Sequence, residues 1–110
     1  MAFNPTYAVD APERAKIDAL PGLTLIEFGT GWCGHCQAAR PAIESALADF
    51  PELPHLKFED GPGRALGRSF RVKLWPTLIL MLEGVELQRL VRPTDAAAVL
   101  ALLKSPSKES

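Results

Sequence analysis

Cys33 and Cys36 are the only cysteines of the chain, and they stand in "GTGWCGHCQAARP" (29–41) with Gly34 and His35 between them. Thiols at that spacing have four chemical uses: haem attachment, a metal site, a structural clip and reversible redox exchange. Haem attachment needs a histidine directly after the second cysteine, whereas here Gln37 follows Cys36 and His35 precedes it. A structural zinc ion needs four ligands. Cys33, Cys36, His35 and His55 are the candidates, and His35, inside the loop, cannot easily turn its ring towards a shared ion. A clip closing so short a loop removes little entropy from the unfolded chain. Redox exchange is the favoured reading.

That chemistry needs the two sulfurs to differ. Ala38, Ala39, Ala42, Ile43, Ala46, Leu47 and Phe50 recur at helical spacing, which predicts a helix from about Gly34 to Phe50 with Cys33 at its N-terminus. Unpaired backbone N–H groups and the positive end of the helix dipole favour a thiolate there. Cys33 is therefore expected to attack a substrate disulfide, and Cys36, one turn further in, to resolve the mixed disulfide. A protonated His35 beside the thiolate would make the disulfide more oxidising. The competing reading of His35 is a solvated loop residue. Pro41 lies inside the helical pattern, where a kink is expected.

The surrounding elements follow from short patterns. Asp10 is expected to cap a first helix containing Pro12, with Ala15, Ile17, Ala19 and Leu20 as apolar surface, stopped by Pro21-Gly22. "LTLIEF" (23–28) and "TLILML" (77–82) are nearly continuous apolar runs and read as buried strands. "HLKFE" (55–59) reads as a strand, "GPGRALGRSFRV" (61–72) as a short helix interrupted by Gly67, and "EGVELQRLV" (83–91) as a turn into an alternating strand. "TDAAAVLALLK" (94–104) is expected to be an amphipathic helix starting at Thr94. A further short strand is weakly indicated near Thr6–Ala8. This order predicts an α/β fold, a central mixed sheet of four to five strands with helices on both faces and right-handed βαβ units as the two middle connections.

With 110 residues, 47% hydrophobic and 23% charged, the chain is expected to form one folded domain over 1–104, with 105–110 as a flexible C-terminal tail. A formal net charge of −1 gives no reason to expect nucleic acid as a partner. No run approaches the length of a membrane span, and the start lacks the layout of a signal peptide. A cytoplasmic location is expected, where thiols are kept reduced.

"WCGHC", with Pro41 five residues after Cys36 and "WPTLILMLEG" further on, resembles the thioredoxin superfamily over roughly residues 8 to 104. The Gly34-His35 pair is similar to that of protein disulfide isomerase-type domains. The resemblance implies a buried acid at Glu27 beneath Cys36, accepting its proton through water. The alternative for Glu27 is a strand edge reaching solvent, since a buried unpaired carboxylate is costly. Lys57 falls where the family often places a lysine near that acid. The resemblance also implies a cis bond at Pro76, exposing the backbone of Trp75 so that a substrate strand pairs with it while Cys33 attacks. The Trp75 ring is then a substrate platform or, alternatively, core filling.

Two positions depart from the family pattern. Gly29 stands where an aromatic is common, which leaves Trp32 without a tryptophan partner. Arg92, before Pro93, stands where a glycine normally lines the substrate groove, and is expected to close part of that groove or to favour acidic substrates. Arg64, Arg68, Arg71 and Lys73 form a basic cluster that reads as a solvated face.

The resulting expectation is a thioredoxin-like thiol–disulfide oxidoreductase that mainly reduces protein disulfides and contributes to cell redox homeostasis. Cys33, Cys36 and Glu27 carry the chemistry; Trp32, Gly34, His35 and Lys57 tune the site; Trp75, Pro76 and Arg92 meet the substrate. No bound cofactor or metal is expected. Electrons would come from a thioredoxin-reductase-like donor or glutathione, and the chain is expected to be a monomer. A disulfide isomerase or oxidase, a metal or iron–sulfur handling protein, and a redox-inactive binding module on the same fold are the alternatives. Gly34-His35 leans oxidising and the expected compartment leans reducing, and the reductase reading follows the compartment.

Overall fold

The computed structural model describes residues 3–105. Its elements run α1 (Arg14–Asp18), β1 (Leu23–Gly29), α2 (Gly34–Leu47), β2 (His55–Glu59), α3 (Ala65–Ser69), β3 (Thr77–Leu82), β4 (Val85–Val91) and α4 (Ala96–Leu103). The strands form one sheet in the order β2-β1-β3-β4, with β2 parallel to β1 and both β3 and β4 antiparallel to their neighbours. Only β1-α2-β2 is therefore a parallel crossover. The expected second βαβ unit is absent, because β3 pairs with β1 and runs against it. An isolated parallel bridge, Ala8 to Phe58, is what remains of the weakly indicated strand near Thr6–Ala8.

Alternation along the two central strands divides the interior into two cores. Leu25, Leu78 and Leu80 face α2 and α4, packing on Ala39, Ile43, Ala46, Leu47, Val99, Leu102 and Leu103. Ile26, Phe28, Ile79 and Met81 face the opposite way, onto Ile17 of α1 and Leu66 and Phe70 beside α3. Parity then puts Glu27 on the face covered by α2, between two paired strands. It is 2% exposed, so the edge reading of Glu27 does not hold.

Several element ends differ from the sequence pattern for local reasons. Helix α1 is a five-residue helix whose N-cap is Glu13, not Asp10, and only Ile17 is buried; Ala15 and Ala19 face solvent. Asp95, not Thr94, caps α4, accepting the Ala98 N–H at 2.9 Å. The expected alternation of β4 is broken by a register shift at Leu80/Met81, which leaves Val85, Gln88 and Val91 as its exposed residues. Ser105, placed in the tail by the sequence, is tied to α4 by its hydroxyl donating to the Ala101 carbonyl at 3.2 Å; 106–110 lie outside the described residues.

Candidate redox site

Strand β1 ends at Gly29, and the loop Thr30–Cys33 delivers the chain into α2. Cys33 is the N-cap, with extended backbone, and its Sγ accepts the Cys36 N–H at 3.2 Å. The sulfur therefore occupies the place of a capping oxygen. Both thiols are free and largely buried, at 7% exposure for Cys33 and 4% for Cys36. Burial, and then the hydrogen bond with Cys33, push the Cys36 thiol up to about 11. Gly34 and His35 are exposed in the first turn of α2.

Beneath the cysteines lies a polar cluster that the sequence did not suggest. Glu27 Oε2 accepts the Tyr7 hydroxyl and Oε1 lies 2.8 Å from His55 Nε2. The Asn4 N–H donates to His55 Nδ1 at 2.9 Å, so the ring proton sits on Nε2 and is given to the carboxylate. Both Glu27 oxygens are thus occupied. Lys57 is directly across the β1–β2 ladder from Glu27, yet it is not the carboxylate's hydrogen-bonding partner. Its Nζ lies 4.1 Å from the centre of the Tyr7 ring. Burial pulls Lys57 below its ordinary value, with Glu27 acting in the opposite direction. His55 was weighed from sequence only as a metal ligand; its parity with Lys57 on β2 was the signal that it faces Glu27.

The face expected to meet the substrate is built from the loop before β3. The Trp75–Pro76 peptide is cis, and Pro76 is buried. Trp75 is half-buried, its Nε1 donating to Asp60 Oδ2 at 2.8 Å. Asp60 in turn presses on Gly67, where a Cβ would come within 2.0 Å of Asp60 Oδ1. The expected interruption at Gly67 is corrected: α3 runs through it, and the glycine makes room for the close approach of Asp60. Trp32, 74% exposed, meets Trp75 edge-to-face at 5.8 Å between ring centres. The expectation of an unpaired Trp32 is corrected: the partner comes from the cis-proline loop.

Arg92 completes this face. Its N–H donates to the Pro76 carbonyl at 2.9 Å and its Nε to the Trp75 carbonyl at 2.8 Å. The acceptor that a substrate strand was expected to use is thus already occupied. Of the basic cluster, Arg64 is engaged with Glu59 and the Val9 carbonyl, while Arg68, Arg71 and Lys73 are exposed.

Among the described residues no three His, Cys, Asp or Glu side chains gather as a metal site would require, and no helix is long and apolar enough to cross a membrane. The family model described as Thioredoxin matches residues 9–105. The thioredoxin of Chlamydia trachomatis is 33% identical over 82 residues, 74% of this chain and 80% of that protein. A protein disulfide-isomerase of Gallus gallus is 29% identical over 96 residues, 86% of this chain but 19% of that protein. Among solved structures, thioredoxin 2 from Pseudomonas aeruginosa in its reduced form superimposes with a TM-score of 0.84 at 51% identity, covering 96% of this chain and 97% of that one.

Proposed function

Because the chain belongs to the thioredoxin family and is a thioredoxin-like thiol–disulfide oxidoreductase, we propose that its substrates are protein disulfides and that it works mainly as a reductase. The observation that carries the reading is the pairing of unlike sulfurs: Cys33 at the cap of α2, accepting a backbone N–H, and Cys36 held as a buried thiol. The Cys33 thiolate attacks one sulfur of the substrate disulfide and releases the other as a thiolate. Cys36, once deprotonated, attacks Cys33 Sγ; the second substrate thiol leaves and a Cys33–Cys36 disulfide forms. Two electrons have passed from the dithiol to the substrate, and an external reductase or glutathione returns them. Glu27 takes the Cys36 proton, and Trp32, Trp75 and Pro76 form the face on which the substrate lies. Work of this kind in the cytoplasm would contribute to cell redox homeostasis.

The test is reduction of insulin disulfides with dithiothreitol as electron source, comparing the chain with Cys33→Ser. Turnover lost in the variant supports the reading. Equal rates for both would overturn it and leave the fold as a binding scaffold. The reduction potential separates direction: about −270 mV belongs with reductases and about −180 mV with isomerase-like oxidants.

A further inference from the structure

We propose that the Tyr7 hydroxyl carries the proton between Cys36 and Glu27, so that the buried acid acts on the resolving cysteine through a protein group. This rests on the oxidoreductase reading above and names a further residue of its machinery.

Three observations carry it. First, Glu27 makes no hydrogen bond to either cysteine; its two oxygens are taken by Tyr7 and His55. Second, Tyr7 and the thiol border the same space that Gly29 leaves open. A Cβ at position 29 would lie 2.6 Å from Cys36 Sγ and 2.8 Å from the Tyr7 hydroxyl, so both groups flank the place where another residue's side chain would begin. Against the burial that raises the Cys36 thiol, the Tyr7 hydroxyl acts in the thiolate's favour. Third, Tyr7 is positioned by backbone: the Ala8 N–H donates to the Lys57 carbonyl at 2.8 Å, and the Glu59 N–H to the Ala8 carbonyl at 2.9 Å.

The step balances with groups on the page. In the mixed disulfide, the Cys36 S–H gives its proton to the Tyr7 oxygen while the Tyr7 O–H gives its own to Glu27 Oε2. The Cys36 thiolate so formed attacks Cys33 Sγ, the substrate sulfur leaves with the electron pair of the broken S–S bond, and Glu27 is left protonated. Re-reduction of the disulfide runs the proton back along the same oxygen. The phenol never has to ionise, which suits its surroundings: burial, and then Glu27 beside it, hold it far above its ordinary range. The charged and titratable groups around this path are Glu27 from β1, His55 and Lys57 from β2, and Cys33, Cys36 and Arg40 from the Cys33–α2 segment. A cleft of about 210 Å³ lined by Tyr7, Thr30, Cys36, Arg40 and Lys57 lies alongside. A water there is the competing carrier.

Tyr7 is the only tyrosine of the chain, so the test can be made specific. Single-turnover reduction of a protein disulfide, sampled by acid quench, separates first attack from release of the second thiol. Tyr7→Phe keeps the ring over which Lys57 sits and removes only the oxygen. First attack is expected to stay within about twofold, while resolution slows by about 10²-fold, the lower end of general acid–base effects. Replacing Tyr7 with a fluorinated, more acidic tyrosine is expected to shift the pH profile of the resolution step while leaving first attack unchanged. If resolution and its pH profile are the same in Tyr7→Phe, fluorotyrosine and unaltered chains, the Tyr7 path is overturned and water in the cleft is the carrier, with the oxidoreductase reading intact. Absence of first attack in the unaltered chain would instead overturn that reading.

Discussion

Arg92 Nε donates to the carbonyl oxygen of Trp75 at 2.8 Å, in the loop before β3. Arg92 holds a φ of +51° to do so, a conformation that costs an L-residue about 1–2 kcal/mol. Arg92→Gly relieves that cost but adds about 0.5–1 kcal/mol of unfolded-chain entropy, so the urea midpoint should barely move. The freed carbonyl can accept one more substrate N–H, worth about 0.5–1.5 kcal/mol net, or roughly two- to tenfold in kcat/KM on a protein disulfide. A fall in kcat/KM on neutral and acidic substrates alike would show that Arg92 assists binding instead of covering the groove.

Asp60 links α3 to the indole of Trp75. Gly67→Ala drives a Cβ into Asp60 Oδ1, and Asp60 must swing away from the indole of Trp75. The expected result is loosening of the Trp32–Trp75 contact, read as changed tryptophan fluorescence and a higher KM for protein substrates with little change in the rate of Cys33 alkylation. An unchanged emission spectrum would mean that Asp60 and Gly67 do not hold the tryptophan pair.

Glu27→Gln places an amide NH2 where one of two donors now points, so either Tyr7 or His55 loses its acceptor. A buried donor left unpaired costs about 1–3 kcal/mol, which denaturant unfolding will register. Resolution of the mixed disulfide is expected to slow by about 10²-fold, with the first attack nearly intact. An unchanged resolution rate would remove Glu27 from the mechanism.

The raised Cys36 thiol makes the stability of the reduced form pH-dependent. Its ordinary value is 9.0 and the fold moves it to about 11. Between those values the unfolded chain has lost the proton and the folded chain keeps it, so stability falls as pH rises. The contribution is intact below about 9 and gone above about 11. Lys57, pulled down by burial, has the opposite sign, since the folded state releases its proton first. Urea unfolding with excess reductant, expressed as the difference from Cys36→Ala, isolates the cysteine. A difference that stays flat across the window would contradict the burial argument.

Whether a feature was legible in the sequence follows how local its cause is. The strands at 23–28 and 77–82 declare themselves in contiguous apolar runs. The Cys33–Cys36 pair and Pro76 lie in motifs that carry their own geometry. The caps were misread by a few residues: Glu13 and Asp95 hold the places given to Asp10 and Thr94, because the choice among neighbouring polar residues depends on where packing starts the helix. The polar cluster was not legible, because Tyr7, Glu27 and His55 are brought together only by the sheet, over separations of 20 and 28 residues. Gly29 reads as a missing aromatic and Gly67 as a break in a helix, whereas each makes way for a neighbour: Tyr7 with Cys36 in one case, Asp60 in the other.

The segment from Phe3 to Ala8 is a strap laid over the acid, held by the bridge at Ala8 and by Asn4 on His55. It lies outside the four-stranded sheet, so its opening is expected to require less free energy than unfolding the sheet behind it. Reactivity and foldedness then have separate melting curves. On warming, the strap lifts first, Tyr7 withdraws and Glu27 is wetted, while the sheet stays whole. Resolution of mixed disulfides would decline before circular dichroism reports any loss of structure, and hydrogen exchange would mark the strap amides as the earliest to open.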